Sequence, residues 1–285
     1  MELNLLINSM PRVITEKNRV QSASSIKTLK QCPRKYFYKY IECIDEGTNI
    51  YAIRGKAAHT ALENFFSIEK EKLEIIITQP DLVLTLKAII RNQFDEAWKE
   101  GKEELKTLSM CDAEIKKFHD ETIMMLMDYV EYVTNSITGN FIEGFEKFRP
   151  TRIEEEIAST NLGVRGFIDV QKEEGNDLIV LDYKTSGKMN MNEHLFQLGM
   201  YSLLIQEKHG RIPDKAGIIY LKFGGKTETI TVDEDLLRET LLQIEQAHMH
   251  TQSNDKCDYP KKTSPLCKWR TGQCGFYEVC NNDCN

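Results

Sequence analysis

Short hydrophobic runs that end at polar and turn residues in the middle of the chain predict a β-hairpin. One apolar run ends at Asp169, a glycine-bearing turn covers 173–176, and a second apolar run over 178–181 leads into Asp182. Short apolar runs bounded by turn residues are typical of paired strands. The same reasoning places strands near 152–158, 164–172 and 178–183, and a further pair at 215–223 and 228–232 around a Gly-Gly turn.

Helical periodicity dominates the segments on either side of these strands. Between about 69 and 140 the apolar residues recur every three or four positions, which predicts a helical insertion. Helices are also predicted at 191–208 and 233–252. We therefore expect one elaborated α/β domain with a central mixed sheet flanked by helices. Its expected parts are N-terminal cysteine and histidine helices (24–68), the helical insertion (69–145), the catalytic sheet and helices (150–252) and a cysteine tail (257–285).

The net charge of −7 argues against a general attraction to nucleic acid, but local groups of cations can outweigh it. Two basic and aromatic groups predict a groove in which cations contact phosphates and rings stack on the bases of a single strand. A solvated helix face over core aromatics is the alternative. The residues concerned are Lys27, Lys30, Arg34, Lys35 and Lys39 with Tyr36, Phe37, Tyr38 and Tyr40, and in the tail Lys261, Lys262, Lys268, Trp269 and Arg270.

The hairpin carries the most informative chemistry. Residues two apart on a strand face the same side, so Asp182 and Lys184 project together, beside the strand that carries Asp169. Two carboxylates and a lysine can hold a hard divalent cation, Mg²⁺ or Mn²⁺, beside a phosphate. The lysine can then orient or deprotonate an attacking water, or stabilise the charged transition state. The alternative is a hairpin with ordinary solvated charges.

Two helix-spaced pairs add candidates to this site. His59 and Glu63 are four residues apart in a segment rich in helix formers, and therefore share a helix face. A neutral imidazole is a common metal ligand, although a packed or surface histidine is the alternative. Gln197 and Tyr201 show the same spacing, and either can contact DNA or a nearby carboxylate, or belong to a polar helix edge.

The cysteines suggest a second metal site. Cys267, Cys274 and Cys280 lie in the tail, and Cys32 lies far upstream before a proline. The sequence shows neither a signal peptide nor a hydrophobic span, so we expect a reducing cytoplasm, or a host cytoplasm for a viral protein. Clustered cysteines there indicate a metal or redox site rather than disulfides. Four thiolates can hold a [4Fe-4S] cluster or zinc, and the spacing alone favours neither.

In their order along the chain these residues resemble the RecB-type branch of the PD-(D/E)XK nuclease superfamily, specifically its iron–sulfur members. These include the CRISPR-associated RecB-like exonucleases and the AddB-type nuclease subunits. The resemblance covers nearly the whole chain. Six short motifs carry it, namely Cys32-Pro-Arg-x-Tyr36, Gly55-x3-His59-x3-Glu63, Gly166-x-x-Asp169, Asp182-Tyr-Lys-Thr185, Gln197-x3-Tyr201, and the cysteines Cys267, Cys274 and Cys280. The six-residue gap between the first two tail cysteines is longer than in many relatives.

The resemblance implies a restriction-endonuclease-like core with an iron–sulfur-stapled terminal region. The implied catalytic set is Asp169, Asp182, Lys184, His59, Gln197 and Tyr201, with Lys184 as the catalytic lysine. The implied metal shell is His59, Asp169, Asp182 and the main-chain carbonyl of Tyr183. The implied cluster is [4Fe-4S], with zinc as the lesser alternative, held by Cys32, Cys267, Cys274 and Cys280. Two points stay open: an extra carboxylate among Glu154, Glu155 and Glu156, and a possible replacement of one tail ligand by Cys284.

We therefore expect a metal-dependent DNA exonuclease that hydrolyses single strands or duplex ends in recombination, repair or CRISPR-type DNA processing. The alternative is a non-catalytic DNA-binding or assembly subunit that partners a helicase or an integrase. The intact set of histidine, aspartates and lysine argues against that alternative. The sequence contains no P-loop motif, so a helicase motor would belong to a separate chain, and no membrane association is expected.

Overall fold

The centre of the molecule is a five-stranded mixed sheet. The computed structural model describes residues 19–269 and 272–283. The strands are β1 (Arg152–Ser159), β2 (Val164–Glu174), β3 (Asp177–Lys184), β4 (Lys215–Tyr220) and β5 (Lys226–Thr231), and a small hairpin follows from β6 (Lys268–Trp269) and β7 (Gly272–Gln273). The order in the large sheet is β1-β2-β3-β4-β5, in which β3 and β4 run parallel and the other neighbours antiparallel. The predicted mixed sheet is therefore confirmed.

Helices precede, connect and follow these strands. They are α1 (Ala23–Gln31), α2 (Pro33–Tyr36), α3 (Ile50–Phe66), α4 (Lys70–Ile76), α5 (Leu82–Glu100), α6 (Lys102–Lys106), α7 (Asp112–Ser136), α8 (Phe141–Phe148), α9 (Leu195–His209), α10 (Glu234–His250) and α11 (Tyr277–Asn282). A π-helical turn, Phe37–Ile41, extends α2. The helices expected between 69 and 145 are α4 to α8. None of the helices in the described ranges is both long and apolar enough to cross a membrane.

The helices cover both faces of the sheet, and the two larger hydrophobic clusters of the described residues lie on its opposite sides. Ile179 and Leu181 of β3 point to one side and belong to the cluster formed with α3, α5, α7 and α8. Leu178 and Val180 point to the other side and belong to the cluster formed with α1, α9 and α10. Because β3 alternates between two buried faces, six of its eight residues are buried, as is usual for a central strand.

The turns at the strand ends show where the sequence prediction succeeds and where it fails. The β2–β3 hairpin reverses within two residues, with Gly175 at a φ of +63° that residues bearing a side chain rarely adopt. The strand predicted at 215–223 is shorter than expected, because β4 ends at Tyr220 and a 3-10 turn, Leu221–Phe223, follows. This turn packs against α7, which draws the chain out of the sheet.

Helix α3 carries three alanines among the larger residues of its buried face. Asn49 caps its first turn by accepting hydrogen bonds from two backbone N–H groups. Ala57 and Ala61 are buried against the core, so the helix backbone can approach the strands. This approach brings His59 within reach of the end of β3.

The tail folds back onto the N-terminal helices. Tyr259 is fully buried and stacks on Tyr36, with ring centroids 6.1 Å apart. The carboxylate of Asp283 accepts a hydrogen bond of 2.5 Å from Arg34, a contact that joins residues 249 positions apart. Because Arg34 follows Cys32 by two residues, this closure also brings Cys32 beside the cysteines of the tail.

Candidate active site

A histidine and two carboxylates converge where α3 meets β1 and β2. Nδ1 of His59 lies 3.3 Å from Oε1 of Glu154 and 3.4 Å from Oδ1 of Asp169. One potential ligand atom from each residue lies within 4.8 Å of the other two. Oxygen and imidazole donors at this spacing can surround one divalent cation, whose ligands lie about 2.1 Å away for Mg²⁺. The structure thus brings the predicted pair His59 and Asp169 together and adds Glu154.

The backbone explains why Glu154, of three consecutive glutamates, enters this group. Glu154 has a φ of +48°, in the left-handed region that non-glycine residues rarely adopt. It lies opposite Asp169, and this is the position at which the otherwise regular β1–β2 pairing is interrupted. Glu155 faces the basic end of α9, and Glu156 is exposed. Of the three glutamates that the sequence left as candidates, Glu154 is therefore the one that lies beside His59 and Asp169.

Both strands change faces at this interruption. On β1, Ile153 packs against the cluster beneath α3 whereas Ile157 packs in the opposite cluster. On β2, Ile168 and Val170 also belong to opposite clusters. Residues separated by an even number of positions share a face in a regular strand, so simple alternation fails here. This local break is the reason that the sequence pattern could not choose among the glutamates.

The second aspartate is held by its own strand and by α9. Oδ1 of Asp182 accepts a hydrogen bond of 2.8 Å from Nε2 of Gln197, and the same nitrogen lies 2.7 Å from the hydroxyl of Tyr201. Lys184 forms an ion pair with Oδ2 of Asp182, as expected for two residues on one strand face. Asp182 is 1% exposed, so these partners replace water around a buried charge.

The main chain of Tyr183 contacts both Asp169 and His59. Its N–H donates to Oδ2 of Asp169 at 2.7 Å, and its carbonyl oxygen lies 3.2 Å from Nε2 of His59. The carbonyl therefore faces Nε2 of the ring, whereas the carboxylates of Glu154 and Asp169 face Nδ1. The Tyr183 ring is buried in the core beneath α3.

The electrostatics of the group favour a positive charge. Burial and the neighbouring Asp182 carboxylate raise the pKa of Asp169 to about 6, although His59 opposes the shift. Burial lowers the pKa of His59, but its contacts with Asp169 and Glu154 outweigh burial and raise that pKa to about 10. Several acidic groups held out of water are stabilised by a nearby cation. The donor set and its charge therefore fit a hard divalent metal ion.

Arg54 is a residue of the site region that the sequence analysis did not single out. Its guanidinium is buried and donates from Nη2 to the carbonyl oxygen of Thr185 at 2.8 Å. The contact joins the helix that carries His59 to the residue after Lys184. The sequence does contain a signal for Arg54, because it is a charged residue on the apolar face of a helix. Such a charge is seldom buried without a specific partner.

Four cysteines line a cavity of about 280 Å³ where the tail folds back onto the N-terminal helices. They are Cys32, Cys267, Cys274 and Cys280. Burial raises the pKa of the Cys280 thiol, and the nearby Cys32 and Cys267 thiols raise it further. Cys43, Cys111 and Cys257 are exposed. Cys284 lies outside the described residues.

The expectation that the rings near Cys32 stack on bases is wrong for Tyr36, Phe37 and Tyr38, whereas Tyr40 is half-buried. The side chains at 36–38 are at most 4% exposed and form part of the core. Lys35 and Lys39 both pair with Glu46, which leaves less charge for phosphate. This segment is a charged face over core aromatics, because the tail covers its rings. The side chains at 269 and 270 fall outside the described part of the chain.

Comparison with known proteins places this site in a family. The structure of the "Putative exonuclease" of Eubacterium rectale resembles this chain with a TM-score of 0.51, at 12% identity over 88% of this chain and 86% of that chain, which is a likeness of fold. No curated protein gives a significant match. The family model of the PD-(D/E)XK nuclease superfamily matches residues 21–281. Because this match spans nearly the whole sequence, the chain belongs to the PD-(D/E)XK nuclease superfamily.

Proposed function

We propose that this protein is a metal-dependent DNA exonuclease that hydrolyses single strands or duplex ends. The observation that carries the proposal is the convergence of His59, Glu154 and Asp169 beside the Asp182–Lys184 pair, in a chain of a nuclease superfamily. The name of the Eubacterium rectale neighbour agrees with an exonuclease. DNA processing in recombination, repair or CRISPR-type immunity is the proposed setting, with a helicase or an integrase as a possible protein partner.

The residues that would hold the cation come from four elements. His59, Glu154 and Asp169 of α3, β1 and β2 offer side-chain atoms that lie close together. Tyr183 and Asp182 of β3 lie beside them, with the Tyr183 carbonyl at the Nε2 side of His59. When bound there, Mg²⁺ or Mn²⁺ supplies positive charge that polarises a phosphodiester and acidifies water. The rest of the chemistry depends on groups of the chain itself.

Lys184 is proposed as the group that stabilises the charge developing on the phosphate. Its side chain is 24% exposed, so the ammonium can reach a substrate while Asp182 holds its direction. Gln197 fixes the Asp182 carboxylate by a hydrogen bond, and Tyr201 in turn contacts Gln197. This chain of contacts leaves Asp182 little rotational freedom, which lowers the cost of ordering the site during reaction.

The four-cysteine cavity is proposed to hold a [4Fe-4S] cluster with a structural role. The thiols surround one cavity, yet within the described ranges no three of them approach to within 4.8 Å of one another. A single zinc, with sulfurs at about 2.3 Å, would draw its ligands to roughly 3.8 Å from each other. The resemblance of the cysteine pattern to the iron–sulfur members of the superfamily supports the larger group. Hydrolysis needs no electron transfer, so the cluster would join the tail to the N-terminal helices.

Digestion of end-labelled DNA tests the nuclease proposal. Single-stranded, duplex and circular substrates labelled at the 5′ or 3′ end are incubated with Mg²⁺ or Mn²⁺, and with neither. We expect metal-dependent release of short products from linear DNA and no cutting of circles. The Asp182→Asn and Lys184→Ala variants are the controls, and for Lys184→Ala we expect kcat to fall by roughly 10²–10³-fold. Undiminished cleavage by Asp182→Asn would refute the assignment.

A further inference from the structure

An open basic cavity adjoins the candidate active site. Its volume is about 590 Å³, within the roughly 300–1,000 Å³ of small-ligand sites. Lys184 and Gln197 form one wall, so the cavity is continuous with the groups that contact Asp182. Lys27 of α1 and the loop that carries Lys188 form the remainder of the lining.

The cavity carries unneutralised positive charge in a chain whose net charge is −7. Lys27 and Lys188 are exposed, and neither has an ion-pair partner within the described ranges. Lys222 approaches the same loop, with Nζ 3.8 Å from the position that a Cβ at Gly187 would occupy. Glu193 is the acidic residue of the lining, so the lysines outnumber it.

His194 lies at the same cavity. Burial lowers the pKa of His194, and the charges of Lys184 and Lys27 lower it further, whereas Asp182 and Glu193 oppose them. His194 also precedes the first residue of α9, whose N-terminal end adds a favourable dipole for anions.

We propose that this cavity binds a backbone phosphate of the nucleotide next to the scissile phosphate. The proposal rests on the proposed nuclease function and defines where the substrate strand lies. Lys27 and Lys188 supply charge to the phosphate, and Ser186 and Asn190 supply polar groups at the rim. The substrate strand then runs from the metal-binding group past Lys184 toward α1. Lysine contacts to phosphate carry no base preference, so the subsite serves any DNA sequence.

The test measures how DNA affinity depends on salt. A short fluorescent single-stranded oligonucleotide is titrated with the intact protein in Ca²⁺, and log Kd is plotted against log salt concentration. Each lost phosphate contact lowers the slope by about 0.7 for a single strand, so the Lys27→Ala/Lys188→Ala variant should lose about 1.4. The control is Lys208→Ala/Lys215→Ala, which removes the same charge from the far ends of α9 and β4. Circular dichroism checks the fold of both variants.

The outcomes separate the subsite from the nuclease proposal. A slope that falls only in the Lys27/Lys188 variant supports the subsite, whereas equal slopes in both double variants overturn it. Oligonucleotides with and without a 5′-phosphate distinguish an internal diester from a terminal phosphate. If the cavity binds a terminal phosphate, the Lys27/Lys188 variant loses more of the salt slope with the phosphorylated strand. If the cavity binds an internal diester, the loss is the same for both strands. Binding needs no hydrolysis, so a parent protein that binds with this slope but cleaves nothing would refute the nuclease function and leave the subsite standing.

Discussion

Glu154 reaches the candidate metal-binding group, which it forms with His59 and Asp169, because of a single backbone angle. A left-handed φ at a residue with a side chain costs on the order of 1–3 kcal/mol, which the surrounding sheet must offset. The angle interrupts the pairing with β2 and turns Glu154 toward His59. Stored strain of this kind is concentrated at functional sites, which agrees with the placement of Glu154 beside Asp169.

Exchange of neighbouring glutamates tests this placement. Glu154→Gln removes one negative charge from the group, so we expect Mn²⁺ affinity to fall. Loss of a residue that only supports a metal ligand typically lowers affinity by roughly 10–100-fold, and we expect at least this loss for Glu154→Gln. Glu156→Gln makes the same change at an exposed position two residues along β1 and should leave the affinity near that of the parent. Calorimetric titration of both variants decides the matter. Equal metal affinities in the two variants would remove Glu154 from the shell.

Gly166 fixes the distance between β2 and α9. A Cβ at this position would lie 2.9 Å from a ring carbon of Tyr201, closer than side chains tolerate. We expect Gly166→Ala to cost about 1–3 kcal/mol of unfolding free energy by overpacking, and to lower kcat because Tyr201 supports Gln197. Urea denaturation and nuclease assays measure the two effects.

The matched control for this exchange is Gly55→Ala in α3. A Cβ there meets no atom within 4 Å, and alanine is favoured over glycine inside a helix by about 1 kcal/mol. Gly55→Ala should therefore stabilise the protein where Gly166→Ala destabilises it. If both exchanges changed the unfolding free energy in the same direction, the close approach of α9 would not explain Gly166.

At the level of elements, α3 and the end of β3 are coupled by a buried arginine. Arg54→Leu would leave the Thr185 carbonyl without its donor, so we expect a loss of about 1–3 kcal/mol in unfolding free energy and a fall in kcat. Arg54→Lys should not restore activity, because one ammonium cannot reproduce the planar fork. Lys56→Ala, on the exposed side of the same helix, is the control. Full kcat in Arg54→Leu would show that the contact only stabilises the fold.

For the whole molecule, the tail closure predicts which cysteines matter for metal content. Protein purified without oxygen should carry about four irons per chain, and Cys32→Ala should lose iron as fully as Cys267→Ala, because the two residues line the same cavity. Cys43→Ala and Cys111→Ala, both at exposed positions, should retain it. Iron and zinc analysis of each variant provides the measurement. One zinc per chain, or full iron in Cys32→Ala, would contradict the proposed cluster.

The sequence by itself determined what depends on periodicity and order. Short apolar runs bounded by turn residues predicted β2, β3 and their glycine turn, and helical spacing placed Gln197 and Tyr201 on one face. These features are local, because side-chain direction follows directly from backbone repeat. The tertiary structure decided what depends on contacts between distant segments or on a break in the repeat. It selected Glu154 through an irregular backbone angle, buried the rings at 36–38 under the tail, and joined Arg54 to Thr185. No local pattern encodes such contacts, since each depends on where another part of the chain packs.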